Sequence, residues 1–260
     1  MKTNPIGVFD SGIGGLSIWK EIISLLPNEN TIYLADSKNA PYGQKSQQEI
    51  IDLSVKNTEL LLKKGAKIIV VACNTATTNA IDYLRNNYNV PFIGIEPAIK
   101  PAALKSKTKK IGILATKGTL SSKLFSDKVL RFENTEIVEQ IGEGLVPLIE
   151  QGKINSDEMD KLLQSHLQKL VQNNIDFLVL GCSHYPFLID KITSIIGKNI
   201  TIIDSGEAVA RQTKRVLEKN DLLNTKKKPA KHFLYNNKNS SIFKNFITDY
   251  QNITVDYLDF

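Results

Sequence analysis

Residues 178–187, LVLGCSHYPF, form an apolar run that stops abruptly at Gly181, Cys182, Ser183 and His184. Residues 69–77, IVVACNTAT, make the same move, with an apolar run, the small Ala72, then Cys73 and polar residues able to open a helix. A short apolar run that gives way to helix-opening side chains reads as a buried strand turning into a helix, the unit from which α/β folds are built. The chain has two cysteines, and each closes one of these runs.

The flanking sequence repeats at nearly the same spacing. IGILATKGTLS, from Ile111, lines up with IGVFDSGIGGLS, from Ile6: Ile, Gly, two apolar residues, then a small hydroxyl residue and a shared glycine. Ile111 follows Ile6 by 105 residues and Cys182 follows Cys73 by 109. Two independent anchors with almost one offset point to a duplicated α/β unit. The expected fold is two similar doubly wound parallel-sheet lobes related by pseudo-symmetry, with the active site in the cleft between them. Residues 1–96 with 207–260 would form the first lobe and 97–206 the second.

Local signals fill in the elements. In the first unit a strand over 6–9 leads through the Gly-rich turn DSGIGGLS into a helix from about Leu16 to Leu26, stopped by Pro27. A strand over 31–35 precedes a tight loop at Pro41, Tyr42 and Gly43. Ser46 and Glu49 then form a capping box for a helix facing inward with Ile50, Leu53, Leu60 and Leu61 and ended by Gly65. A helix over about 76–88 and a run over 91–95 follow Cys73. In the second unit Asn155 and Glu158 mark a helix start, with Met159, Leu162, Leu163, Leu167 and Leu170 as its buried stripe and His166 packed beside it. An apolar run over 200–203 precedes DSGEAVA, which opens another helix. The tail holds short strands near 232–235 and 253–258 with a helix between them, and is expected to pack on the first lobe. Trp19 reads as core.

Composition restricts the function classes. At 260 residues, 42% hydrophobic and 23% charged, the chain can bury two cores and is not of disordered type. Its apolar stretches are too short to span a bilayer and MKTNPIGVFD has no signal-peptide core, so a cytoplasmic protein with no membrane partner is expected. Two thiols in that setting are reduced and make no disulfide framework. The net charge of +6 is concentrated in part at Lys226, Lys227, Lys228 and Lys231, which read as a solvated loop and not as a nucleic-acid patch. The Gly-rich turn fails as a dinucleotide fingerprint, because after Gly12 and Gly14 the third glycine position is Ser17.

In open α/β sheets ligands bind at the carboxyl ends of strands, which places Cys73, Cys182, Asp10, Ser11 and the Tyr42–Gly43 loop on one rim per lobe. Facing rims would set one thiol on each side of a cleft. Several readings of that pair stand at this point. Free cysteines are commonly small buried hydrophobes. A metal site would have at most two thiols and His184, without a close ligand pair. A redox disulfide between lobes is another, and a Cys182–His184 nucleophile would leave Cys73 without a role. A non-catalytic anion-binding or regulatory protein on the same duplicated scaffold would use the Gly-rich helix starts and the basic tail. Two opposed thiols suit inversion at a carbon acid, one taking a proton from one face while the other supplies one to the opposite face. A thiol titrating near about pH 8.5 can be either ionised or protonated for such work.

FDSGIGGLS, ADSKNAPYGQKS, VVACNTATT, GIEPAIKPA and LGCSHYPFL resemble, in order from about Ile6 to Phe187, the signature segments of the cofactor-independent glutamate racemases of bacterial cell-wall synthesis. The resemblance implies two pseudo-symmetric lobes, no pyridoxal phosphate or metal, L- and D-glutamate as substrate, no need of nucleic acid, and a homodimer. It implies that Cys73 deprotonates D-glutamate and Cys182 L-glutamate, with Asp10, His184 and Glu150 assisting proton movement. Asp10, Ser11, Tyr42, Gly43, Asn74, Thr75, Ser183 and His184 would hold the substrate. Three positions depart from the family pattern: Ser183 and Ser37 stand where Thr is common, and Phe187 where Leu is. Racemases of aspartate and hydantoins share the two-cysteine plan.

Overall fold

β1 (Ile6–Asp10) is buried at all five positions, as a strand covered by helices on both faces must be. The computed structural model describes residues 2–226, 228–248 and 250–260. The first unit continues through α1 (Leu16–Leu25), β2 (Thr31–Ala35), α2 (Gln47–Lys63), β3 (Ile68–Val71), α3 (Asn74–Asn87) and β4 (Phe92–Gly94). The second comprises α4 (Ile99–Lys105), β5 (Lys110–Ala115), α5 (Lys117–Leu120), α6 (Lys123–Val129), β6 (Glu136–Ile141), α7 (Leu145–Glu150), α8 (Asp157–Gln172), β7 (Phe177–Gly181), α9 (Ile189–Ile196) and β8 (Thr201–Ile203). The chain ends with α10 (Gly206–Lys219), β9 (His232–Asn236) and β10 (Ile253–Tyr257).

Both sheets are parallel. One is ordered β10-β9-β2-β1-β3-β4 and the other β6-β5-β7-β8. The order β2-β1-β3-β4 therefore recurs in the second unit with every strand in the same place. Register repeats as well. Ile6 pairs with Ile68 and Ile111 with Phe177, which are the same pairing carried forward by the 105- and 109-residue offsets.

Local chemistry explains the elements and corrects several expectations. Ser46 and Glu49 cap α2 reciprocally, and Gly65 closes it at φ 85°. The inward face of α2 differs from the one expected: Ile50, Ser54, Asn57, Thr58 and Leu61 are buried, while Leu53 and Leu60 are only half-buried. One of the polar members reaches outside the helix: Asn57 Nδ2 donates to the Tyr42 hydroxyl at 3.1 Å in the neighbouring loop. The cap of α8 is Ser156, whose hydroxyl accepts from Met159 N–H, and not Asn155. Between the tail strands lies a 3-10 turn, Ser240–Asn245, instead of an α-helix. The tail does dock on the first sheet, β9 adding to β2 with Thr31 opposite His232. Trp19 is fully buried there and donates to Thr31 Oγ1 at 2.8 Å. Lys226, Lys228 and Lys231 are exposed, and Lys227 lies outside the described residues. Among the described residues no helix is long and apolar enough to cross a membrane.

A buried ion pair ties the tail to the first unit. Lys67 Nζ reaches Glu29 Oε2 at 2.5 Å, and both side chains are almost wholly out of solvent. Lys67 also donates to Lys2 O and Leu222 O, and Glu29 Oε1 accepts from Asn224 N–H, so one cluster joins the start of the chain, β3 and the segment after α10. Removing one partner leaves an unpaired buried charge, which costs about 3–5 kcal/mol, whereas replacing both by apolar residues is close to neutral. Glu29→Ala is therefore expected to lower the urea midpoint strongly with little change in slope, and Glu29→Leu with Lys67→Met to recover most of it. Equal losses in the single and double variants would show that the cost lies in the severed contacts to Lys2, Leu222 and Asn224 and not in an unpaired charge.

Candidate active site

Cys73 caps α3, which starts at Asn74, two residues earlier than expected. The consequence is chemical: the Cys73 sulfur accepts the Ala76 N–H at 3.4 Å and lies 3.6 Å from the Ser11 hydroxyl. Cys182 sits at the equivalent end of β7, but no α-helix follows at once. Ser183 and His184 form a bend into the 3-10 turn Tyr185–Leu188, which places His184 Nδ1 3.8 Å from the Cys182 sulfur. Both cysteines are free and buried.

The two thiols line one cavity of about 10 Å³ together with Ser11, Tyr42, Gly43, Asn74, Thr75, Ser183 and His184. Both rims thus converge, as strand-end geometry requires. Asn74 is 2% exposed, and neither its Nδ2 nor its Oδ1 has a partner among the described residues. A buried amide left unpaired costs about 1–3 kcal/mol, so a side chain placed this way at a cavity wall is poised for a ligand. Pro41, Thr116 and Val146 complete the lining. Thr116 was missed in the sequence although a signal was there, since it stands in β5's repeat where Ser11 stands after β1. Its hydroxyl is 2.8 Å from that of Thr75.

Asp10 and Glu150 stand behind this lining. Asp10 Oδ2 accepts from Gly12 N–H at 3.0 Å and Oδ1 from the Ser183 hydroxyl at 3.0 Å. Glu150, the last residue of α7, accepts at Oε1 from Ile13 N–H and His184, each at 2.6 Å, and at Oε2 from Ser37 Oγ at 2.8 Å. The Glu150 contact assigns the proton to His184 Nε2. Gly14 N–H, 3.2 Å from the same nitrogen, has a usable acceptor there only if His184 is neutral with Nε2 bare. Two glycines make this approach possible. A Cβ on Gly12 would fall 1.9 Å from Glu150 Oε1, and one on Gly14 would fall 2.2 Å from His184 Nδ1.

The charges around the thiols are unequal. Burial pushes the Cys73 thiol up, and the nearby Asp10 adds to that. Burial also raises Asp10, with His184 opposing and Glu150 reinforcing the shift. For His184, burial acts downward, yet hydrogen bonds to Cys182 and Glu150 and the charge of Asp10 hold it well above the ordinary imidazole range. Burial acts upward on Glu150, but His184, Ile13 N–H and the Ser37 hydroxyl bring it below the usual carboxylate range. The directions agree on an imidazolium–carboxylate pair beside Cys182. Among the described residues no three His, Cys, Asp or Glu side chains gather in a way that could hold a metal ion.

The sequence from residue 6 to 213 matches the family model of the Asp/Glu/hydantoin racemases. A glutamate racemase of Herpetosiphon aurantiacus is 46% identical over 225 residues, covering 86% of this chain and 89% of that protein. Among solved structures, a glutamate racemase isoform of Bacillus anthracis superposes with TM-score 0.89 at 31% identity, covering 100% of this chain and 98% of the other. The Escherichia coli glutamate racemase, solved with L-glutamate and an activator, gives TM-score 0.87 at 29% identity and covers 98% of each chain. A Picrophilus torridus aspartate racemase shares the fold at TM-score 0.60 and 19% identity, covering 82% of this chain and 94% of that one. With paired strand-end thiols, a repeated parallel sheet and a family match over most of its length, the chain belongs to the Asp/Glu/hydantoin racemase family and is a racemase.

Proposed function

We propose that this chain interconverts L- and D-glutamate by a two-thiol mechanism without a cofactor, as a cytoplasmic homodimeric enzyme supplying D-glutamate for peptidoglycan. The observation that carries the mechanism is the pair of thiols at equivalent strand ends of a duplicated fold, lining one cavity. The choice of glutamate is supported by relatives of that name at 42–48% identity. It is also supported by solved neighbours holding D-glutamate, from Francisella tularensis, and L-glutamate, from Escherichia coli. The same reading divides the lobes at 96/97 and 206/207, supported by each sheet drawing strands only from its own segments.

Proton bookkeeping closes without an external reagent. For D-glutamate the Cys73 thiolate takes the α-proton: the C–H bond breaks, an S–H bond forms, and the electron pair stays on carbon as a carbanion spread into the adjacent carboxylate. The Cys182 thiol then delivers its proton to the opposite face, leaving a thiolate. For L-glutamate the roles exchange. Asn74, Thr75, Ser11, Ser183 and the Tyr42–Gly43 loop supply hydroxyl, amide and backbone donors for the substrate carboxylates, and the α3 start adds its positive end. Asp10 assists at Cys73 and is a partner for the substrate ammonium. The His184–Glu150 pair assists at Cys182. A cavity with room for about one water admits no five-carbon diacid, so binding requires the lining to open.

Incubating the protein with either enantiomer in D₂O without added cofactor is expected to racemise it with deuterium entering at the α-carbon. Cys73→Ala and Cys182→Ala are each expected to abolish racemisation while keeping the fold. Full activity in either variant would overturn the two-thiol mechanism, and reaction with aspartate but not glutamate would overturn the substrate.

The pH dependence has a definite sign. Cys73 must be a thiolate to take a proton from D-glutamate, and burial holds its proton on, so the reactive fraction grows as pH rises. We expect kcat/KM to climb throughout the range from about pH 7 to pH 10, with no plateau near the ordinary thiol value of about 8.5, because the Cys73 proton is held beyond it. A profile flat across that interval would show that no thiol ionisation limits the reaction.

A further inference from the structure

Behind His184 the hydrogen bonds run in one direction. Asn236, the last residue of β9, receives at Oδ1 the N–H groups of Lys238 at 2.7 Å and Asn239 at 2.9 Å. An amide oxygen held by two N–H donors fixes which way round the amide sits. Nδ2 therefore faces Ser37 Oγ, at 3.0 Å, and donates to it. Ser37 is left with its own proton for Glu150 Oε2, and Glu150 in turn takes the His184 Nε2 proton. Ser37 is 4% and Asn236 0% exposed, so water does not compete at either.

This chain of donors crosses between the two sheets. Glu150 belongs to α7 of the second unit, whereas Ser37 follows β2 and Asn236 closes β9, both in the six-stranded sheet. Asn236 also lies beyond residues 6–213, the part of the chain the family model matches. We propose that Ser37 and Asn236 are positioning residues that hold the Glu150 carboxylate against His184 and thereby fix the proton on the imidazole facing Cys182. Their effect on turnover rests on the two-thiol reading above; their effect on His184 does not.

The titratable groups facing the pair are Cys182 at the end of β7, Asp10 at the end of β1 and Tyr33 on β2. Ser37→Ala alters none of them directly and removes one donor to the carboxylate. Glu150 stays charged but is no longer held at Oε2, so Oε1 is free to turn away from His184 Nε2 and stabilises the imidazolium less. Ser37→Thr keeps the hydroxyl.

The test is a pH titration of protein carrying ¹⁵N-labelled histidine, followed by long-range proton–nitrogen correlation spectra. The chain has three histidines, so the His184 signals are separable by comparison with His166→Gln and His232→Gln. In the wild type both His184 nitrogens are expected to stay protonated above the ordinary imidazole range. In Ser37→Ala the midpoint should fall, in Asn236→Ala it should fall in the same direction, and in Ser37→Thr it should return. Turnover should track it: loss of one hydrogen bond to a charged group predicts about a ten- to hundredfold drop in kcat/KM for Ser37→Ala, equal for both enantiomers, with recovery in Ser37→Thr. An unmoved His184 midpoint in Ser37→Ala would overturn the proposal, as would a lower kcat/KM that Ser37→Thr fails to restore. If Ser37→Ala does not fold, Ser37→Cys keeps the volume with a weaker donor and carries the same test. A wild type inert toward glutamate, with the midpoint still moved by Ser37→Ala, would sink the glutamate reading and leave the relay standing.

Discussion

The contact between the two units depends on side chains that are missing. At Gly12 and Gly14 the turn after β1 presents bare backbone, and Glu150 and His184 from the other unit press into that space. Ile13 N–H, between the two glycines, meets the Glu150 carboxylate at 2.6 Å. Any β-carbon at either glycine would overlap the imidazole or the carboxylate, so the second thiol's surroundings exist only because the first unit's turn is Gly-rich. The glycines thus do for an imidazole–carboxylate pair what such turns elsewhere do for a pyrophosphate: they let a charged group approach the start of a helix.

That constraint organises the rest of the site. With the turn fixed against the second unit, Asp10 is held by Gly12 N–H and the Ser183 hydroxyl, one partner from each unit. Ser17, the second residue of α1, donates to Ser183 O at 2.8 Å and adds a further tie. The Tyr42 hydroxyl, at the cavity's other side, is anchored on Asp36 Oδ2 at 2.5 Å, and Asp36 is itself gripped by Asn39 and by Asn237 of the tail. Polar groups buried in such numbers are tolerable only when nearly all are paired. Asn74 stands out because its neighbours are so well satisfied.

The fold could be read from sequence because its evidence is local and repeated. The apolar runs, the Ser46–Glu49 box and the stop at Gly65 are each decided by a few adjacent residues, and the duplication at Ile111 and Cys182 then pointed to two like lobes. Pairings made by folding escaped that reading. Nothing within a few residues of Asn57 says that it turns inward, since its partner is Tyr42 in a loop that only tertiary structure brings near. The placement of α8's cap by one residue, Asn155 against Ser156, reflects two adjacent side chains equally able to accept. Cys73 was expected ahead of a helix and is instead its cap, a difference of two residues that changes which N–H the sulfur sees. Asn236 has no motif at all, because its role comes from β9 docking on β2 far from its own sequence neighbours.

The duplication makes the thiols equivalent in topology, yet it leaves them unequal in surroundings. Cys73 meets a helix start, a serine hydroxyl and the Asp10 carboxylate; Cys182 meets an imidazole backed by a carboxylate. In the proposed reaction thermodynamics limits what this asymmetry can do. L- and D-glutamate are mirror images with equal free energies in water, so the equilibrium constant is one, and kcat/KM must be the same in both directions at every pH. Any advantage His184 and Glu150 give to one face must therefore reappear as tighter binding or slower release on the other. The unequal environments can divide the barrier between binding and turnover for each enantiomer, but they cannot favour one product. What they can do is keep one thiol protonated while the other is ionised, and an inversion needs the two in opposite states at the same moment.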